Sequence, residues 1–204
     1  MIFSFLLKAL IISLSGVMAP GPITAVTVSK GTDQPYSGVM IAIGHGVVEF
    51  PLMILIIVGF GQFLELNWVK VVIGVFGGLF LFKMAIGLLK NIKDAQIGKS
   101  DHQYSAFQAG VVLTIANPYF LIWWATIGAV LITGAYQFGF LGFIAFAIIH
   151  WSCDFVWYSF LSSLSFKGGQ FFGKRMQKVL FAVCGLFLLF FSGKFIYDAM
   201  TIIF

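Results

Sequence analysis

Charged side chains are scarce in this 204-residue chain: Asp, Glu, Lys and Arg make up 9% of it, whereas hydrophobic residues make up 60%. Soluble domains carry about 25% charged residues, so these few could not cover a water-facing surface of this size. Cysteine is scarce too, and two cysteines cannot form the framework of a disulfide-stabilised scaffold. The hydrophobicity also excludes a disordered chain. With 25 Phe, this is the composition of an all-α protein that crosses a lipid bilayer several times.

Long apolar stretches account for almost the whole chain. A membrane-spanning helix needs about 20 mostly apolar residues, and the sequence divides into six such stretches joined by short connections. We therefore predict a single integral membrane domain over residues 1–204. No cleaved signal peptide is expected, because no basic residue precedes the first apolar stretch and Lys8 interrupts that stretch. The six predicted spans are Phe3–Ser29, Ser37–Phe60, Val69–Leu89, Ala106–Thr133, Phe138–Ser163 and Lys178–Met200.

Basic residues are distributed unevenly between the connections. Those after the first, third and fifth spans hold Lys30, Lys90, Lys93, Lys99, Lys167, Lys174, Arg175 and Lys178, whereas the other side holds Lys8, Lys70 and Lys194. Because Lys and Arg concentrate in cytoplasmic loops, this bias predicts a multi-pass protein of the cytoplasmic membrane with both termini outside. The same bias accounts for the net charge of +5 without a nucleic-acid partner.

Three features of the first half recur in the same order in the second half. The offsets between them are about 97, 105 and 107 residues. A repeat of three helices reverses the direction of its second copy, so the sequence predicts two inverted three-helix repeats, at about 1–95 and 104–204. The matched features are Pro20-Gly21-Pro22 with Asn117-Pro118, His45 and Glu49 with His150 and Asp154, and Gly78–Phe82 with Gly185–Leu189.

The proline-containing segments predict interruptions of the first and fourth spanning helices. Proline lacks a backbone donor and clashes with the preceding turn, and freed backbone groups inside a bilayer need protein or water partners. Transporters place such breaks at substrate sites; a kink that only shapes packing is the alternative. Gly21 would allow a ligand to approach the backbone closely and would tolerate positive φ. The predicted substrate-binding residues are Pro20, Gly21, Pro22, Thr24, Asn117 and Pro118.

Two acidic residues lie near the centre of predicted spans, where inserting an acidic side chain costs about 2.5–3.5 kcal/mol. Each follows a histidine by four residues, on the same helical face: His45 with Glu49, and His150 with Asp154. An imidazole partner lowers the cost of burial and lets the pair hold or release a proton. We therefore predict that these four residues couple transport to protons. Two alternatives stay open: polar contacts that only hold helices together, and a metal site that includes Cys153.

Enzyme motifs are absent from the sequence. It contains no H-E-x-x-H, no G-x-S-x-G, no Walker A loop and no dinucleotide-binding fingerprint. We therefore predict that the protein is not an enzyme and has no catalytic residues, no cofactor and no resident metal. Cys153 and Cys184 do not form a C-x-x-C pair, and we expect both to pack in the core.

The motifs together resemble the LysE/RhtB family of amino-acid exporters. The segment Gly16–Pro22 is similar to the family's P-G-P signature, and the glycine-rich second helix and the Asn117-Pro118 pair follow in the family's order. The resemblance covers essentially the whole chain and implies a proton-driven exporter that uses no ATP. The two His–acid pairs depart from the family's pattern. Since related branches of the superfamily move divalent cations, this departure leaves the substrate open. The glycines that contribute to the resemblance are Gly38, Gly44 and Gly46 in the second helix, Gly78 and Gly87 in the third, and Gly185 and Gly193 in the sixth.

The sequence therefore predicts a proton-coupled secondary transporter that exports amino acids or similar small metabolites. Its expected partners are a small-molecule substrate, protons and the lipid bilayer, and a homodimer is compatible with the sequence. The first alternative is a divalent-cation exporter of the same superfamily. The second is a membrane protein that serves only structure or assembly.

Overall fold

The computed structural model describes residues 1–18, 21–59, 66–91 and 104–203, and every regular element in these ranges is helical. A π-helical turn at Trp124–Gly128 joins α6 to α7, so that these elements form one continuous helical stretch. In chain order the helices are α1 (Ile2–Val17), α2 (Pro22–Gly31), α3 (Ser37–Ile57), α4 (Asn67–Asn91), α5 (Ala106–Ile115), α6 (Pro118–Trp123), α7 (Ala129–Tyr136) and α8 (Gly139–Ile203).

Five of the described helical stretches are long and apolar enough to span a membrane. They are Ser37–Ile57, Asn67–Gly87, Pro118–Tyr136, Gly139–Gly168 and Ala182–Ile203. The bent pair of α1 and α2 makes a sixth when it is counted as one span. The prediction of an all-α, multi-pass membrane protein is therefore confirmed, and the predicted number of spans agrees with this larger count.

Both predicted helix breaks are present. α1 ends at Val17 and α2 begins at Pro22, and the axes of these two helices differ by 74°. α5 ends at Ile115 and α6 begins at Pro118. In each case a proline occupies the first helical turn, where its missing N–H removes no hydrogen bond and its fixed φ suits the start of a helix.

The long helix α8 contains the last two spans. Tyr158 and Phe191 lie 33 residues apart in it, and a straight helix of that length would measure about 50 Å. Both side chains nevertheless line one cavity. α8 is therefore not straight between Tyr158 and Phe191, and its two spans, Gly139–Gly168 and Ala182–Ile203, pack as separate parts.

Each part of α8 packs against a helix of the first half and runs in the opposite direction to it. Along α3, Gly38 lies against Tyr158, and the carbonyl of Ala42 accepts a hydrogen bond from Trp151 at 3.1 Å. Along α4, the neighbours are Gly74 with Ala199, Gly78 with Ser192 and Leu89 with Gly185. An inverted repeat requires antiparallel pairs of this kind, although the repeat itself stays a prediction.

Two clusters of buried apolar side chains lie at different levels of the helices. One includes Ile41 of α3 and Tyr158 of α8, and the other includes Met53 of α3 and Phe146 of α8. Along both helices, the histidines and acidic residues occupy the interval between these two clusters. The polar groups therefore lie near mid-span, with apolar packing on both sides of them.

Candidate functional site

Four ionisable side chains meet where α3 crosses the first part of α8. His45 and Glu49 lie one turn apart on α3, and His150 and Asp154 lie one turn apart on α8. Their exposed fractions are 3%, 0%, 4% and 2%, so all four are buried. The spacing within each helix was predictable, whereas the meeting of the two helices required the tertiary structure.

Glu49 joins the two histidines. Its Oε1 atom lies 3.1 Å from Nε2 of His45 and 3.2 Å from Nε2 of His150. Asp154 lies farther out, at 3.7 Å from Nε2 of His45 and 3.9 Å from Nε2 of His150. The sequence predicts two separate His–acid pairs; the structure combines them into a single group of four, which we call the His–carboxylate cluster.

The other ring nitrogen of each histidine meets a hydroxyl group. Nδ1 of His45 lies 2.7 Å from Oγ1 of Thr114 on α5, and Nδ1 of His150 lies 2.7 Å from Oγ of Ser13 on α1. The Thr114 hydroxyl donates its own hydrogen to the carbonyl of Gly110 at 2.6 Å. Ser13 and Thr114 were not among the predicted site residues, because a hydroxyl in an apolar helix has no distinguishing local pattern.

Two buried carboxylate oxygens in the cluster have no hydrogen-bond partner among the described residues: Oε2 of Glu49 and Oδ2 of Asp154. Tyr158, one turn after Asp154, is close enough to hydrogen bond with that carboxyl group. A buried carboxylate without full compensation is costly, so these oxygens are suited to accept a proton or a cationic group.

Three members of the cluster could hold a metal ion. Ligand atoms of His45, Glu49 and Asp154 lie within 4.8 Å of one another, and imidazole nitrogens with carboxylate oxygens suit a divalent transition metal. Cys153, a candidate ligand in the metal-site alternative, is not part of this group. Its thiol donates to the carbonyl of Ile149 in the preceding turn.

The cluster opens onto a cavity of about 410 Å³ that also reaches both helix breaks. Of the predicted substrate-binding residues, Gly21, Pro22, Thr24 and Asn117 line this cavity, whereas Pro118 starts α6 without lining it, and Pro20 lies outside the described residues. The aromatic lining was not predicted. It consists of Tyr119, Phe120, Trp123, Trp124, Tyr158 and Phe191.

The two breaks differ at their helix N-termini. At the start of α6, Oδ1 of Asn117 accepts hydrogen bonds from the backbone N–H groups of Tyr119 at 3.1 Å and Phe120 at 3.4 Å. At the start of α2, Gly21 provides no side-chain cap. Gly21 has an extended backbone with φ of −156°, so it does not adopt positive φ. Its value at this position is therefore the space it leaves beside the cavity.

Broken spanning helices beside a cavity, with buried ionisable groups near mid-span, are typical of membrane transporters. The chain belongs to the LysE type translocator family, whose sequence profile matches residues 14–199. It is therefore a member of a family of membrane translocators, as the sequence motifs had indicated.

One curated relative is similar to this chain over part of its length. It is the Bacillus subtilis (strain 168) protein named "Putative amino acid efflux protein YcgF", which is 26% identical over 124 residues. The matched segment covers 58% of this chain and 59% of the relative. No solved structure matches this chain significantly.

Proposed function

We propose that this protein is a proton-coupled secondary transporter that exports amino acids or similar small metabolites across the cytoplasmic membrane. The observation that carries the proposal is the common cavity, since the His–carboxylate cluster and both helix breaks line it. A substrate in this cavity would lie against the groups that exchange protons. The orientation with both termini outside and the two inverted repeats are parts of the same proposal.

Substrate binding is assigned to the first helix break. The N-terminus of α2 carries a partial positive charge, and no side chain caps it at Gly21. Such a terminus can bind the carboxylate of an amino acid. Thr24 and the amide of Asn117 also line the cavity and would add polar contacts. The aromatic lining would receive the apolar part of the substrate.

Proton coupling is assigned to the His–carboxylate cluster, with its members His45, Glu49, His150 and Asp154. Two imidazoles and two carboxyl groups can share protons without leaving a large net charge in the membrane. The unpartnered oxygens of Glu49 and Asp154 can receive either a proton or the ammonium group of the substrate. If both compete for the same oxygens, release of substrate and uptake of protons are linked, as an antiporter requires.

The test is transport by the purified protein in liposomes with an imposed proton gradient. Labelled amino acids should accumulate in wild-type vesicles. Glu49→Gln and Asp154→Asn should abolish gradient-driven accumulation and keep part of the substrate exchange, since amides of similar shape bind no transferable proton. Thr133→Val, an exposed substitution on α7 away from the cluster, is the control and should transport as wild type. Gradient-driven accumulation in both cluster variants would refute the coupling assignment.

A divalent cation is the second candidate cargo, because three members of the cluster place ligand atoms within 4.8 Å of one another. The same liposomes distinguish it: Zn²⁺ or Ni²⁺ would then be transported in place of amino acids. The transported cation would also raise the unfolding temperature of the wild-type protein and leave that of Glu49→Gln unchanged. A protein that transports neither class would point to a structural role for the buried polar contacts.

A further inference from the structure

The contact between His45 and Thr114 determines which ring nitrogen carries hydrogen. The only hydrogen of the Thr114 hydroxyl is donated to the carbonyl of Gly110 at 2.6 Å. Oγ1 of Thr114 must therefore act as the acceptor in its 2.7 Å contact with His45, and Nδ1 of His45 must be the donor. The other nitrogen, Nε2, is then presented to Glu49.

We infer that Thr114 and Ser13 are positioning residues of the proton site, which fix the two imidazoles so that Nε2 of each faces Glu49. This inference rests on the proposed function, in which that site couples transport to protons. Both contacts are buried and measure 2.7 Å, and each engages Nδ1. A hydrogen bond to one ring nitrogen is the usual means by which a protein sets the role of the other.

The geometry around Glu49 then locates a proton. With hydrogen on Nδ1 of His45, a neutral ring would turn the lone pair of Nε2 towards Oε1 of Glu49 at 3.1 Å. Two acceptors at that distance repel each other, so a hydrogen must lie between them, bound to either atom. His150, Asp154 and Tyr158 face the same point from α8 and would set which atom holds it.

Each positioning contact joins the two halves of the chain. His45 belongs to the first half and Thr114 to the second, whereas His150 belongs to the second half and Ser13 to the first. A displacement of the halves by about 1 Å would lengthen a 2.7 Å contact beyond an effective hydrogen bond. The orientation of the imidazoles therefore depends on how the halves pack, which would tie proton binding to alternating access.

Nitrogen NMR of histidine-labelled protein in liposomes tests the assignment directly. The chain has three histidines, and His102→Asn leaves only the two of the cluster. Nδ1 of His45 should be protonated in the wild type, and Thr114→Val should change the signals of His45 more than those of His150. Ser13→Ala should change His150 more than His45. An unprotonated Nδ1 on His45 in the wild type would overturn the inference without any variant.

Transport provides the second measurement. Thr114→Val should lower gradient-driven transport about tenfold, since the imidazole of His45 loses one hydrogen bond, and Thr114→Ser should restore transport by returning the hydroxyl. Thr133→Val is the matched control, because Thr133 bonds the carbonyl four residues before it but is exposed. Wild-type transport by Thr114→Val would overturn the positioning role and leave the proposed function intact. If the NMR signals show Nδ1 of His45 protonated as expected but the wild-type protein shows no proton-driven transport, the proposed function is refuted and the positioning role of Thr114 is not.

Discussion

Gly110 lies where α5 crosses α3, backbone against backbone, directly beside the His–carboxylate cluster. A methyl group built on Gly110 would lie 2.3 Å from the carbonyl oxygen of Ile41 and 3.1 Å from the backbone nitrogen of His45. Both atoms belong to the backbone of a helix, so no flexible side chain can move aside. Gly110→Ala therefore forces the two helices apart.

The size of the effect follows from these distances. An ordinary contact needs about 3.5 Å between the atoms, so the helices must separate by about 1 Å locally. Overpacking of this kind costs about 1–3 kcal/mol. The 2.7 Å contact between His45 and Thr114 would lengthen as well, at a cost of about 1 kcal/mol. Alanine is favoured over glycine in a helix by about 1 kcal/mol, which offsets that loss. We expect a net destabilisation of about 1–3 kcal/mol.

The assay is unfolding of the detergent-solubilised protein, followed by helical circular dichroism, together with transport in liposomes. Gly193→Ala is the matched control, since a methyl group on Gly193 meets no atom within 4 Å. This control should be neutral or slightly stabilising, whereas Gly110→Ala should unfold more easily and transport poorly. Equal stability and equal transport in the two variants would refute the close approach of α3 and α5 at Gly110.

Three further predictions concern the helix breaks and the topology. Gly21→Val should abolish transport in a protein that still inserts and stays monodisperse, because valine tolerates the extended backbone but fills the cavity beside it. Normal transport by this variant would show that the helix break does not line the transport pathway. Asn117→Ala should lower the free energy of unfolding by about 1 kcal/mol through loss of the cap, and Asn117→Asp, which keeps the acceptor, should restore it in the same unfolding assay. Reporter fusions after Ser100 and Gly169 should both read cytoplasmic and a fusion after Gln137 external, and opposite readings for the first two would contradict the inverted repeat.

The spans and the breaks could be predicted from the sequence because their causes are local. Apolar length determines which stretches can cross a bilayer, and a proline in the first turn suits a helix start. Proline alone was not sufficient, however, since α3 continues through Pro51. What distinguishes the break before α2 is the pair of prolines around Gly21, which leaves no regular hydrogen-bond pattern across that turn.

The positioning hydroxyls could not have been identified in this way. Thr114, Thr126 and Thr133 all occur in apolar helical sequence, and each donates to a carbonyl in the preceding turn. Only Thr114 meets an imidazole, because the glycines of α3 and α5 let these two helices cross within reach of His45. The joining of two His–acid pairs through Glu49 has a similar cause at another helix contact, where α3 meets α8 at Gly38 and Gly46. It depends on a crossing between helices about a hundred residues apart in the chain.

The two halves are alike in their hydroxyl–imidazole contacts and different in their helix breaks, and under the proposed function this difference gives the two breaks separate tasks. Asn117 already satisfies backbone N–H groups at the start of α6, so that terminus has less to offer an anionic ligand. The start of α2 has no such side-chain cap, and it lines the same cavity. Under the proposed function, a substrate carboxylate would therefore bind at α2, whereas the contacts of Ser13 and Thr114 would position both imidazoles. In the proposed transporter, the unequal helix breaks determine where the substrate binds. The two hydroxyl–imidazole contacts, which are equal in length, make proton binding at the cluster depend on both halves of the chain.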